Sequence, residues 1–391
     1  MSLARIRTRS LALGGALAAV VAFGAPAPAA LGAPPPGKGV PVTVMTRNLY
    51  LGADINRPLV AVQGLTGLAA LQAFGNANST VRTIVDQTNF PARAQLIAHE
   101  IAAEQPDLVG LQEVALWRTG ALQLDQIGVA NATTVKYDYL QSLLDELAAL
   151  GTPYVAVHVT IESDVEAPAF GGSLAAPVNP QDVRLTMRDV ILRSAGDRVK
   201  VNDDGGGNYT ARIPFSLAGV TYSFIRGYAW ADVTVGSKSF RFIDTHLESE
   251  SSTIANMQAG ELLAGAANQA GKPVVVVCDC NSDPLNGNAK PGDFGTPHWA
   301  PYRTITGAGF TDEWLQWAPA AQGWTSGLSE TVNDADASAF DHRIDMVFAH
   351  LATGAPMPVV YGTVVGTKVG DRNADGLWPS DHGGVVLQLR P

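Results

Sequence analysis

Six short polar groupings in this chain have the residue types that phosphorus–oxygen chemistry needs. They are Asn48, Glu113, His246, Asp279 with Asn281, Asp345, and the adjacent pair Asp381 and His382. Carboxylates and an amide are hard oxygen donors, suited to Mg²⁺, Mn²⁺ or Ca²⁺ rather than to zinc. Imidazoles of near-neutral pKa can take a proton from water, and a carboxylate behind such a ring fixes its tautomer and stabilises the cation formed. A bound divalent ion beside them would neutralise a phosphoryl oxygen and a leaving oxyanion. Together these properties describe phosphoester hydrolysis by activated water. Taken singly, each residue has a plainer explanation: Asn48 as a turn residue, His246 as a hydrogen-bonded structural histidine, Glu113 as the point where a strand reaches solvent. The weight lies in their joint placement.

That placement follows from the elements around them. Val42–Arg47, Leu108–Gln112, Phe240–His246, Val274–Asp279, Ile344–Ala349 and Val385–Leu389 read as apolar strands, and the polar residues fall at their ends. Ala92–Glu104, with Ile97 and Ile101 four apart and Pro106 beyond, reads as a helix, as does Ile254–Ala270. Alternation of this kind predicts a layered α/β fold, in which ligands gather outside the strand ends. Residues 52–90 and 163–181 are rich in Gly, Asn, Pro and Ala and read as loops around a site mouth.

Other chemistries are excluded by what the sequence lacks. There is no G-x-S-x-G elbow, no Walker P-loop, no H-E-x-x-H and no C-x-x-C. The chain has 391 residues, 46% hydrophobic, with 26 bases against 36 acids, which disfavours a general polyanion binder and a disordered protein. Its basic residues are scattered rather than clustered with aromatics. Tyr50 and the tryptophans at 117, 230, 299, 314, 324 and 378 are expected mostly as core or loop anchors.

At the N-terminus, Arg5, Arg7 and Arg9 precede the apolar run Leu11–Gly24 and the small residues around Ala33. This is the pattern of a cleavable secretory signal over residues 1–33, and the run is shorter than the about 20 residues a membrane span needs. No transmembrane segment is expected in the mature chain. Loss of three arginines from the 26 bases would leave 23 against 36 acids. Residues 34–40 read as a linker and 41–391 as one catalytic domain.

In order along the chain, Thr46-Arg47-Asn48, Leu111-Gln112-Glu113, Thr245-His246, Asp279-Cys280-Asn281, Arg343-Ile344-Asp345 and Ser380-Asp381-His382 resemble the motifs of the endonuclease/exonuclease/phosphatase superfamily. That superfamily includes deoxyribonuclease I, abasic-site endonucleases, inositol-polyphosphate phosphatases and secreted sphingomyelinases, and the chain resembles a secreted bacterial-type member. The resemblance implies a four-layer α/β sandwich, two packed mixed β-sheets flanked by helices, with the site at one sandwich edge. It implies Glu113, Asn48 and Asp381 as ligands of Mg²⁺ (or Mn²⁺ or Ca²⁺), and His382, oriented by Asp345, as general base or phosphate contact. Asp279 would position water, Asn281 would donate to a phosphoryl oxygen and His246 would contact the phosphate. Glu162 would be the acidic partner of His246, and Arg188 would help hold phosphate.

A phosphoester substrate is therefore expected: a phospholipid head group as in a sphingomyelinase-like phosphodiesterase, a nucleic acid as in a secreted nuclease, or a small organic phosphate. No stable protein partner is implied. A catalytically inactive binding module on the same fold is the rival reading.

Three local patterns remain. Where the family has Gly-Asp-Phe-Asn, this chain has Cys278-Asp279-Cys280-Asn281. Residues two apart on a strand share a face, so a bridge would be strained and both thiols are expected free and buried. Asp371–Gly376 matches the first half of a calcium loop but has His382 where the bidentate Glu should be, so a polar turn is expected. Asp341-His342 is read as a loop pair outside the site.

Overall fold

The computed structural model describes residues 40–217, 220–290 and 293–391. The expected signal segment lies outside these residues. Eight strands form the first sheet. Val359–Val365, Gly384–Leu389, Val42–Asn48, Leu108–Gln112, Ala176–Ser194, Leu116–Gly120 and Thr134–Asp138 follow in spatial order, with Tyr154–Ser173 on the other edge of Ala176–Ser194. The second has six, in the order Thr311–Asp312, Asp345–His350, Val274–Asp279, Lys238–His246, Gly227–Val235 and Val199–Asn208. A separate hairpin pairs Ile213–Leu217 with Val220–Phe224.

Period-two alternation sorts the strand residues into layers. Val42, Val44, Val275, Val277 and Leu387 pack between the sheets. Their neighbours Met45 and Val109 face the helices Phe90–Glu104 and Tyr139–Ala149. Val274 and Val276 face Ser252–Ala264 and Ala300–Gly307. The result is the expected helix–sheet–sheet–helix sandwich. Where the sheets come closest, Gly110 leaves room: a Cβ there would lie 2.5 Å from the Asp244 carboxylate.

Each sheet is built on one parallel pair. Val42–Asn48 runs parallel to Leu108–Gln112, with Asn48 opposite Gln112. Lys238–His246 runs parallel to Val274–Asp279, with His246 opposite Asp279. Antiparallel strands then begin where these end: Asp345 pairs with Asp279, and Val385 with Thr46. Parallel strands therefore contribute their last residues, antiparallel ones their first, and all reach one edge of the sandwich.

Two buried arginines lock that edge. Arg93 donates to the carbonyls of Leu49 at 2.8 Å, Tyr50 at 3.0 Å, Pro379 at 2.9 Å and Thr88 at 2.8 Å. Arg47 donates to the carbonyl of His382 and pairs with Glu100 at 3.0 Å. Ser380 Oγ donates to the carbonyl of Asn48 at 2.8 Å. The chain ends carrying Asn48 and Asp381-His382 are thus joined by polar contacts that no local pattern announces.

Four expectations are corrected. Residues 52–90 contain two helices, Arg57–Ala61 and Gly67–Gln87. The second buries Ala70, Phe74, Ala77, Val81 and Val85 at spacings of three and four, a helical stripe made of residues small enough to look like loop. Residues 163–181 lie in the long hairpin Tyr154–Ser173 and Ala176–Ser194. Register shifts at Ile161/Asp164 and Ala169/Gly171 interrupt its alternation. The helix expected to reach Ala270 stops at Ala264, followed by Gly265.

Finally, Cys278 and Cys280 are disulfide-bonded. The strand ends at Asp279, so Cys280 already stands outside it. Their Cα atoms stand 5.1 Å apart, against about 6.6 Å for two residues of extended strand, and within the range a bridge accepts.

Replacing Arg93 with Met strands four buried carbonyls at once. The expected cost is about 3 kcal/mol or more, seen as a fall of several degrees in the thermal unfolding midpoint. A midpoint unchanged from the parent would show that the edge holds without this guanidinium.

Candidate active site

Glu113 follows the last residue of Leu108–Gln112 with φ 54°, a left-handed turn that a non-glycine residue adopts only when its surroundings enforce it. Arg188 is what enforces it. Its guanidinium donates to the carbonyls of Val114 at 2.8 Å and Ala115 at 3.3 Å and pairs with Asp138 at 2.7 Å. Arg188 is thus spent on shaping the Glu113 turn and is not a phosphate contact as expected. Glu113 Oε2 accepts from Leu51 N at 2.7 Å, leaving its other oxygen for the adjoining cavity.

That cavity, of about 150 Å³, is lined by Glu113, Asp381, Arg226, Glu248, Tyr50 and Asp54 among others. Asn48 stands beside it, with Oδ1 accepting from Tyr50 N at 2.8 Å and Nδ2 donating to Asp279 Oδ2 at 2.9 Å. Asp279 Oδ2 also lies 3.4 Å from His246 Nε2 and 3.8 Å from His382 Nε2. On the far side of its ring, His382 Nδ1 meets Asp345 Oδ2 at 2.8 Å. Asn281 Nδ2 donates to the Leu247 carbonyl at 2.9 Å and lies 3.1 Å from His246 Nε2. The structure therefore brings Asn48, His246, Asp279, Asn281, Asp345, Asp381, His382 and Glu113 into one neighbourhood.

Protonation follows from these contacts. Burial alone would lower the His382 pKa, but the attraction of Asp345, Asp279 and Asp381 outweighs it and raises the value well above normal. Burial pushes Asp279 up to about 7, with His382 pulling down and Asp345 and Glu113 pushing up. Asp381 rises to about 6, mainly through burial, with His382 opposing and Glu113 adding repulsion. His246 is the opposite case. Burial, then the Arg226 and His382 charges, hold its pKa well below normal.

Arg226 also settles the tautomer of His246. Its Nη1 lies 2.9 Å from His246 Nδ1. A guanidinium can only donate, so Nδ1 accepts and Nε2 carries the proton of a neutral ring, facing Asp279. Glu162, expected as the acidic partner of His246, instead accepts from Gly227 N at 2.6 Å and is itself held up near 7 by burial. The partner of His246 is a cation. Arg226 escaped the sequence reading because it is a lone arginine; its signal was its place just before the alternating strand Gly227–Val235.

Two oxygen-rich groupings invite comparison as cation sites. Asp279, Asp345 and His382 bring their donor atoms within 4.8 Å of one another. Within that trio, however, the ring nitrogen and carboxylate of His382 and Asp345 already share a hydrogen bond, which makes it a proton-holding network. Glu113 and Asp381, with the Asn48 amide beside them, form a hard all-oxygen set whose mutual repulsion a divalent cation would relieve. They fit such an ion.

The other local expectations stand as follows. Asn373 Oδ1 accepts from Asp375 N at 3.0 Å and Leu377 N at 2.9 Å, so the 371–376 segment spends its oxygens on a polar turn. His342 pairs with Asp341 at the surface and lines a separate cavity with Lys290 and His298. Trp117, Trp314 and Trp378 are buried, whereas Trp324 is exposed. Among the described residues no helix is long and apolar enough to cross a membrane.

Comparison with known proteins agrees with this architecture. No curated protein matches the sequence. An endonuclease/exonuclease/phosphatase family protein from Bacteroides thetaiotaomicron superposes with a TM-score of 0.51 at 15% identity, covering 90% of this chain and 98% of its own. D. rerio TDP2, humanized by 14 mutations, gives 0.49 at 15% identity over 90% and 99% of the two chains. A mannosyl-6-phosphatase from B. thetaiotaomicron gives 0.45 at 15% identity over 89% and 99%. The sequence profile of the Endonuclease/Exonuclease/phosphatase family matches residues 76–382, from the long N-terminal helix to the terminal histidine of the site. The chain belongs to that family of phosphoester hydrolases.

Proposed function

We propose that this protein is an exported, divalent-cation-dependent phosphodiesterase. The observation that carries the reading is the pairing of an all-oxygen set, Glu113 and Asp381 with Asn48, with the imidazole–carboxylate couple His382–Asp345 at the same edge. Glu113, Asp381 and Asn48 would hold the cation, which when bound supplies charge neutralisation at a phosphoryl oxygen. Mg²⁺, Mn²⁺ and Ca²⁺ all suit these donors.

The protein's own groups do the rest. Asp279 and His382 face each other, 3.8 Å apart, and would take the proton of the attacking water between them. Asp345 stabilises the imidazolium. His246, kept neutral by Arg226, presents an N–H at Nε2, while Asn281 and Arg226 place further donors beside it for phosphoryl oxygens.

Charge favours a diester over a monoester. Arg226 is the one basic residue among the described residues lining the cavity, against Asp54, Glu113, Glu248, Glu250 and Asp381. A diester brings one negative charge into this acidic wall, and a monoester near neutral pH brings about two. The same wall, with 26 bases against 36 acids overall, disfavours a long nucleic acid. Export is supported by Arg5, Arg7 and Arg9 preceding Leu11–Gly24.

Three outcomes test this. With Mg²⁺ and bis-p-nitrophenyl phosphate, His382→Ala is expected to lower kcat by roughly two to four orders of magnitude. An unaltered kcat in a folded variant would leave Asp279 as the base without His382, and no metal-dependent hydrolysis by the parent would favour a binding module. Glu113→Gln should raise the Mg²⁺ concentration needed for half-maximal activity, and an identical titration would remove Glu113 from the ligand set. Protein recovered from the culture medium of an expressing bacterium should begin close after Ala33; full-length protein retained in the membrane would contradict export.

A further inference from the structure

The acidic cavity is not alone at this edge. A second cavity shares Ile55 and Phe224 with it and continues beneath Leu59, Phe74 and Val165. Its wall is almost wholly apolar, drawn from the helices Arg57–Ala61 and Gly67–Gln87 and the long hairpin, the segments that sequence composition had suggested were loop. It measures about 80 Å³, which at about 10–15 Å³ per water-sized group leaves room for about six such groups. Two polar side chains depart from this wall: Glu166, whose Oε2 accepts from Ala132 N at 2.7 Å, and Asn78, which is 7% exposed and whose Nδ2 is buried without a hydrogen-bond partner. Native interiors rarely leave such a donor unmet.

We infer that this cavity binds an unbranched alkyl substituent of the phosphodiester. The inference rests on the phosphodiesterase reading and narrows it to one substrate class. Continuity through Ile55 and Phe224 places an apolar ester arm in reach when phosphorus sits against Glu113 and Asp381. A sugar or a charged head group would lose hydration against this wall and find only Asn78 and Glu166 as polar partners. The lining shared with the acidic cavity is aliphatic on one side and aromatic on the other, and the narrow volume suits a chain better than a ring system.

The test compares p-nitrophenyl phosphodiesters whose second arm is methyl, n-hexyl or phenyl, with the full-length protein and Mg²⁺. The hexyl diester is expected to show a KM about tenfold below that of the methyl diester, with kcat similar. Leu59→Trp and Val165→Trp, each checked for folding by thermal unfolding, should bring the hexyl-to-methyl KM ratio close to one. Asn78→Leu should keep the preference for hexyl, because the chain contact survives. Equal KM values in the parent, a preference for phenyl over hexyl, or a ratio retained in both tryptophan variants would overturn the inference. If no diester is hydrolysed, the functional reading fails, and binding decides the cavity separately. A larger rise in unfolding midpoint with n-hexylphosphonate than with methylphosphonate would uphold it, and equal shifts would overturn it.

Discussion

The buried guanidinium of Arg93 is the contact on which the site's assembly turns. It reaches four carbonyls from three separate stretches of chain, those around Leu49, Thr88 and Pro379. A cation with no exposure is costly to bury unless its donors are satisfied, so those stretches must meet in one arrangement or the charge is stranded. Arg47 repeats the device one layer further in, holding the carbonyl of His382 itself. In this way the ends of the first and last strands of the first sheet are pinned before any catalytic side chain is placed.

Above that scaffold the site is a problem in charge balance. Asp279, Asp345, Asp381 and Glu113 crowd one edge, and each raises the proton affinity of a neighbour. The carboxylates raise the proton affinity of His382, while that of His246, an otherwise similar ring, is lowered by burial and then by Arg226 at its Nδ1. Two identical side chains thus have their proton affinities shifted in opposite directions within one site. The difference comes from which neighbour each ring meets, a carboxylate for one and a guanidinium for the other.

The insertions around the site show a second division of labour. Gly67–Gln87 and the long hairpin wall the apolar cavity next to the polar site. The polar site is therefore built from strand ends, and the apolar cavity beside it from elements packed against them.

The central strands were legible from sequence because apolar runs ending in a polar residue are local patterns: Leu108–Gln112 before Glu113 and Val274–Asp279 emerge with the limits that composition predicts. So was the convergence of the eight polar positions, since parallel strands deliver their last residues and antiparallel ones their first to a common edge. What the partners would be was not legible. Arg188 as a turn clamp, Arg226 behind His246, Glu162 on a backbone amide and the Cys278–Cys280 bridge all depend on contacts or backbone turns that residue spacing does not encode. The amino-acid order by itself determined which residues reach the edge, through hydrophobic period and strand length. Only the tertiary structure decided what each one meets there, because charge state and hydrogen-bond partner are set by groups brought close from distant parts of the chain.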